Sequence, residues 1–333
     1  MRRALVTGAT GGLGLALTAA LLAEGYAVRA TGRDRAAADR LRALGAETVE
    51  ADLVEDPGRA AGLCAGVDVV FHAAALSSPW GPAAAFEKAN VGMTRALLEA
   101  ARGAGCQGLV FVSSPSIYAE TRDRLALTEA DPPAARPLNA YARTKLAAER
   151  LVLAADAPGF FTVAVRPRAV VGPDDQVLLP RLLDLVARGW APLPRGGRAL
   201  VELTDVRDVA RALILADQAG AAVGGRTFNI SGGAPVGVGD LASALAAATG
   251  QPLRLAPAPW PLLGAAAALA EIAARLRPGR PEPRLTVYGA ATLAFSQTFD
   301  LAAARRDLGY VPRHDARATL LDLARRRAER SAS

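Results

Sequence analysis

The first half of the chain alternates short β-branched runs with longer Ala- and Leu-rich stretches, and that alternation limits the fold more than any other feature. The pattern predicts strands over residues 3–7, 26–31, 48–51, 67–72, 109–113 and 160–166, and helices over 12–24, 83–104 and 141–155. Strands separated by helical crossovers lie parallel, and their helices cover both faces of the sheet. The expected class is therefore α/β, a Rossmann-type doubly wound parallel sheet. Ligands of such sheets bind beyond the carboxyl ends of the strands, and every candidate site residue below falls at such an end.

After Pro173 the alternation loosens. Helices are expected over 178–188, 206–218 and 238–248, with a strand over 226–230. Residues 1–173 read as a dinucleotide-binding domain that also carries the catalytic groups. Residues 174–333 read mainly as a substrate-binding region, interleaved with the last strands of the sheet. No internal repeat or low-complexity linker is present.

Composition excludes several classes. With 333 residues, 51% hydrophobic and 21% charged, the chain has a core and is not a disordered polymer. Its formal charge of +7 comes with no basic stripe interleaved with aromatics, so no nucleic-acid partner is expected. Cys64 and Cys106 stand far apart, and with only two histidines they offer neither a disulfide framework nor a metal site. A reducing, cytoplasmic setting is expected. The opening segment resembles a basic-plus-apolar leader, but glycines with another use punctuate it. The apolar run 261–276 is broken by Glu271 and Arg275 and is too short for a bilayer core of roughly 30 Å, so stable membrane insertion is not expected.

The segment "ALVTGATGGLG" places Gly8, Gly11 and Gly14 after a strand and at the start of a helix, with Thr10, Gly12 and Leu13 between them. Such glycines allow a tight turn, backbone approach to a pyrophosphate, and close helix–sheet packing, while the helix start offers free N–H groups. The second strand ends in Gly32 and Arg33, where a carboxylate would favour NAD. Gly32 is read as opening space and Arg33 as the partner of a 2′-phosphate, so NADP(H) is preferred and NAD(H) remains possible. Asp52 and Leu53, past the third strand, are expected near the adenine, though an Asp there also suits a plain helix start. Ala73, Ala74 and Ala75 end the fourth strand and are small enough for backbone to run beside the cofactor.

"YARTK" puts Tyr141 and Lys145 on one helical face. A phenol titrates near ~10, too high for an efficient base, and an adjacent ammonium favours its ionised form. Ser113 and Ser114 stand at the end of the strand before it, where a hydroxyl can polarise a carbonyl. Hydride transfer to or from a carbonyl carbon follows, with Tyr141 moving the proton.

These segments resemble the extended short-chain dehydrogenases/reductases. "TGATGGLG", "ADL", "FHAAA", "NVGMTRALLEAA", "FVSSPSIY", "YARTK", "RPRAVVGP" and "LGYVP" follow in family order over nearly the whole chain. The resemblance implies Ser114 as the active-site serine, counted back four places from Tyr118, and Asn90 as a support behind the site. It implies Arg166 and Pro167 against the cofactor, Ser116 against the substrate, and dimers through the helices bearing Asn90 and Tyr141. Within the family, "SSPWG" and "RRDLGYVP" look like the 3β-hydroxysteroid dehydrogenase branch, nearest to bacterial 2-alkyl-3-oxoalkanoate reductases. That implies NADP(H)-linked reduction of a β-keto group on an apolar acyl or steroid-like substrate. Trp80 lines the pocket mouth or is a core aromatic, and 260–276 is a lid or a plain packed helix.

Two other functions compete. Sugar-nucleotide epimerases and dehydratases normally carry an asparagine where this chain has Ala169, and dehydratases carry an acidic pair where it has Pro115 and Ser116. A cofactor-sensing protein without turnover typically lacks the Tyr/Lys pair that is present here.

Overall fold

The computed structural model describes residues 1–332. The chain opens with β1 (Arg3–Thr7), α1 (Gly12–Ala23), β2 (Ala27–Gly32), α2 (Arg35–Ala43), β3 (Glu47–Glu50), α3 (Arg59–Cys64) and β4 (Val69–His72). There follow α4 (Ala83–Phe86), a π-helical turn (Glu87–Gly92), α5 (Met93–Gly103), β5 (Gly108–Val112), β6 (Arg124–Leu127), α6 (Ala140–Ala154) and β7 (Phe161–Pro167). Next come β8 (Val170–Val171), α7 (Leu178–Ala187), β9 (Trp190–Pro194), β10 (Leu200–Val201), β11 (Thr204–Asp205), α8 (Val206–Ala219) and β12 (Arg226–Ile230). The last elements are β13 (Val236–Gly237), α9 (Val238–Thr249), β14 (Arg254–Ala258), α10 (Trp260–Leu276), α11 (Val287–Ala294), β15 (Gln297–Phe299), α12 (Ala302–Leu308) and α13 (Ala316–Ala332).

Seven strands pair in the order β12-β7-β5-β4-β1-β2-β3, all parallel. The order reverses between β1 and β4, which opens a crevice at the carboxyl ends of these two strands. Thr7 pairs with Thr31 on one side and His72 on the other, so the glycine turn, Arg33 and Ala73 leave the sheet side by side.

Period-two alternation sends strand residues to two cores. Val6, Val28, Val110 and Val163 face Leu17 and Leu21 of α1 and Val209 and Leu213 of α8. Leu5, Val70, Leu109 and Ala164 face Leu97 of α5 and Ala148 and Val152 of α6. A third cluster, with Leu179, Leu203, Leu241, Leu245 and Leu320, sits in the second half of the chain. From that half, α8 and β12 return to the main sheet. Among the described residues no helix is long and apolar enough to cross a membrane.

The single helix expected over 83–104 is corrected. The π-helical turn interrupts it and places buried Asn90 within the turn. Such turns rotate everything after them and occur often at functional sites. The short parallel pairs β6–β15 and β9–β14, each joining distant segments, were not anticipated.

Candidate active site

The first wall of the site is the glycine turn. The N-cap of α1, Gly11, has no side-chain cap, and the first turn holds no acidic residue. Its N–H groups are therefore open to an anion. A Cβ on Gly14 would stand 2.1 Å from the Gly8 carbonyl, so α1 lies this close to β1 only because position 14 has no side chain. A Cβ on Gly12 would stand 2.7 Å from the Asp174 carbonyl. The Asp174 carboxylate accepts from Arg40 of α2 at 2.8 and 3.3 Å, so the segment after β8 closes against the turn. Ala74 N–H donates to the Thr7 hydroxyl at 3.3 Å, which holds the Ala73–Ala74–Ala75 stretch beside the turn. Uncapped N–H groups at the start of α1 and small residues beside the turn fit the phosphates of a dinucleotide.

Gly32 departs from the expectation. A Cβ there would meet the Thr10 hydroxyl at 2.2 Å and Thr10 Cβ at 2.9 Å. Thr10 fills the space, so Gly32 serves packing inside the turn and opens no room for a phosphate. Asp34 is the N-cap of α2, accepting from Ala37 N–H at 3.1 Å. Arg33 leaves 75% of its side chain exposed and stands 3.5 Å from Asp52. Asp52 also accepts from the N–H groups of Val54 (2.9 Å) and Glu55 (3.4 Å). Burial works against its charge, but those two N–H groups and Arg33 hold its carboxyl below the ordinary value. Asp52 thus does the capping work of a helix-start Asp while facing Arg33. Leu53 is buried in the second core.

Helix α6 carries the second wall. Asn139 caps it, accepting from Ala142 N–H at 2.8 Å, and Tyr141 follows in the first turn. The Ser114 and Ser77 hydroxyls lie near that of Tyr141. Burial pushes its pKa up, the two serines oppose the rise, and Tyr288 adds to it. Lys145 is 2% exposed. Its ammonium donates to the Val112 carbonyl at 2.5 Å and lies 4.0 Å from the Phe111 ring centroid. Burial pulls it down to about 7, with Glu149 opposing. Lys145 was expected to acidify Tyr141; here the phenol is raised by burial with only the two serines opposing, and the ammonium donates to the Val112 carbonyl. Asn90 stands behind the site, accepting from Leu76 N–H (2.8 Å) and donating to Thr144 (3.0 Å).

His72 lies under Lys145, fully buried, its ring nitrogens 2.8 Å from the Thr7 hydroxyl and 2.9 Å from that of Thr94. Burial, then Lys145, pulls its pKa down to about 3, so it is neutral in the fold. An unfolded chain takes up that proton below about 6.5, so stability falls as pH drops from there towards 3. Between pH 6.5 and 4.5 this one group is expected to remove on the order of 2 kcal/mol. Urea midpoints of the wild type and His72→Gln at pH 7 and 4.5 test this; identical pH dependence in both proteins rules it out.

Arg166 is a correction. It is 5% exposed; its Nε and Nη2 donate to Glu149 at 2.7 and 2.6 Å, and Nη1 donates to the Tyr118 hydroxyl. A guanidinium so committed does not reach a cofactor, which leaves backbone and Pro167 for that role. Ser116 is also inward, 2% exposed with its hydroxyl unpartnered. Trp80 joins its loop to the end of α10: its indole N–H donates to the Arg280 carbonyl at 2.9 Å, and Arg275 lies 5.5 Å over its ring. Helix α10 packs along α11, with Trp260 edge-on to Phe295 at 4.9 Å. Sequence reasoning missed Ser77, Tyr288 and Glu149. Glu149 was within reach, four residues after Lys145 on the same face; Ser77 and Tyr288 carry no local signal.

The sequence profile of the NAD dependent epimerase/dehydratase family matches residues 4–231. The chain belongs to this family. Among its relatives is a 4-hydroxy-2-methyl-3-oxo-4-farnesyl-3,4-dihydroquinoline-1-oxide ketoreductase of Stigmatella aurantiaca, 38% identical over 93% of this chain and 92% of the relative. Another is a 2-alkyl-3-oxoalkanoate reductase of Stenotrophomonas maltophilia, 36% identical over 92% and 94%. Among solved structures, MoeE5 in complex with UDP-glucose and NAD has a TM-score of 0.75 at 28% identity, covering 99% of this chain and all of that one. This epimerase/dehydratase-family chain is an NAD(P)-dependent oxidoreductase acting on CH–OH groups, a member of the extended short-chain branch.

Proposed function

We propose that this chain uses NADP(H) to reduce the keto group of an apolar β-keto acid to a secondary alcohol. The observation that carries the reading is the grouping of the Tyr141, Ser114 and Ser77 hydroxyls, together with the uncapped start of α1. When bound, the nicotinamide supplies or accepts the hydride. Tyr141 passes a proton to the oxygen of the substrate carbonyl, and Ser114 holds that oxygen by hydrogen bond. Lys145, whose ammonium donates to the Val112 carbonyl, is read as the group that holds the nicotinamide ribose. Gly8, Gly11, Gly12 and Gly14 present backbone to the pyrophosphate, and Asp52 and Ala73–Ala75 line the adenine and nicotinamide halves.

The substrate class is supported by relatives. The substrates named for the 2-alkyl-3-oxoalkanoate reductases and for the sterol-4-alpha-carboxylate 3-dehydrogenase of Mus musculus both bear a carboxylate one carbon from the reacting carbon. Trp80 and α10 form the mouth over an apolar chain, and a homodimer through α5 and α6 completes the reading. Oxidation of the reduced cofactor by a 2-alkyl-3-oxoalkanoate tests it. Turnover with sugar nucleotides and no net cofactor consumption supports an epimerase instead.

The cofactor preference rests on Arg33. Arg33→Ala is expected to lower the NADPH-to-NADH ratio of kcat/KM by about 10- to 100-fold, the worth of a charge-assisted phosphate contact. An unchanged ratio removes Arg33 from the cofactor. Gly32→Asp is not a usable probe, because the new side chain collides with Thr10.

A further inference from the structure

Two arginines leave the end of β7, and the fold treats them differently. Arg166 has both carboxylate oxygens of Glu149. Arg168, one residue beyond the strand, is 8% exposed and has no such partner. Its Nε is buried without a hydrogen bond, and the Tyr288 hydroxyl lies near the guanidinium. Glu202 acts on it through space, but the oxygens of that carboxylate are taken by the Ser231 hydroxyl and the Phe299 N–H. A guanidinium buried without a carboxylate is costly to keep. It is retained most readily where a ligand brings the missing charge.

Its position says which ligand. Tyr288, half-buried at the start of α11, lies near both the Arg168 guanidinium and the Tyr141 phenol. The guanidinium is therefore one tyrosine away from the hydroxyl that receives the ketone oxygen. Its backbone is pinned as well: Arg168 N–H donates to the Ile230 carbonyl at 2.9 Å, and its own carbonyl accepts from the Thr204 hydroxyl. Ala169 next to it takes a φ of 39°, a left-handed conformation that non-glycine residues hold only where the surroundings enforce it.

We propose that Arg168, with the Tyr288 hydroxyl, is the subsite for the substrate carboxylate and sets a preference for β-keto acids over neutral ketones. The proposal rests on the ketone-reductase reading above and adds the residues that recognise the acid. With the carboxylate on Arg168 and the ketone oxygen on Tyr141 and Ser114, the substrate is held at two points on either side of the carbon between them, which fixes the face offered to hydride.

The test compares kcat/KM for a 2-alkyl-3-oxoalkanoate and its methyl ester, which keeps the ketone and both chains but loses the charge. The wild type should favour the acid. Arg168→Gln should shrink the acid-to-ester ratio by about 30-fold, which is about 2 kcal/mol at about 1.4 kcal/mol per factor of ten. Arg168→Lys should recover part of the ratio, and Tyr288→Phe should shrink it by a few-fold. Equal losses on acid and ester mark a structural arginine and overturn the proposal, as does a wild type indifferent to the ester. If Arg168→Gln does not fold, the Tyr288→Phe ratio decides by the same criterion. If neither compound is reduced by the wild type, the reductase reading fails, and binding of decanoate in the presence of NADPH, followed by tryptophan fluorescence, reads the subsite alone. At least tenfold weaker decanoate binding to Arg168→Gln sustains it, and equal binding overturns it.

Discussion

Tyr141→Phe is expected to lower kcat by at least about 10³-fold, within the range of positioned acid–base groups, while NADPH binds within about threefold of normal. The ring stays and only the oxygen leaves, so the capped first turn of α6 and the packing around it are unchanged. What is lost is the one hydroxyl on which Ser114 and Ser77 converge. Because burial raises the phenol, the neutral form dominates near neutral pH, which suits a proton donor in the reductive direction. Ser114→Ala should cost less, on the order of 10²-fold, since it removes one donor to the oxygen and leaves the proton source. Single-turnover measurement with NADPH in excess separates chemistry from binding. If Tyr141→Phe retains turnover within about tenfold, the proton comes from elsewhere and the proposed chemistry is wrong.

Glu149→Gln is expected to destabilise the fold by about 3–5 kcal/mol, the usual result of leaving one buried charge of a pair unanswered. Glu149 is 2% exposed and accepts from Arg166 twice and from Ser113 at 2.6 Å. Burial opposes the Arg166 charge, and it is Glu149 that holds its pKa above the ordinary value. Thermal unfolding should show Tm lower by roughly 10 °C. Replacing both partners with apolar residues, Glu149→Leu with Arg166→Met, should recover most of the loss, because no charge is then left buried. A Tm shift under about 2 °C for the single variant would show that water reaches the pair and that it contributes little. The pair also ties α6 to β7, so activity should fall with stability in Glu149→Gln.

The α/β class, the glycine turn and the pair on α6 were legible because each rests on a local rule. Strand alternation follows from a period of two, the 141–145 spacing from a helical turn, and Gly14 from contact with a residue six positions earlier. Boundaries shifted by a residue or two, and one expected helix hid a π-helical turn that its smooth amphipathic pattern does not announce. Gly32 was legible as a glycine with a purpose, but the purpose was misread: its partner is Thr10, brought to it by the turn.

The amino-acid order alone determined that a parallel doubly wound sheet would form and that a phenol, an ammonium and a serine would stand at its carboxyl edge. It could not separate Arg166 from Arg168. They are the same residue type, two positions apart, yet one meets Glu149 from α6 and the other meets Tyr288 from α11, 120 positions further along. Periodicity says which face a side chain leaves by; only the packed fold says what waits there, and for a buried charge that partner decides between structure and recognition.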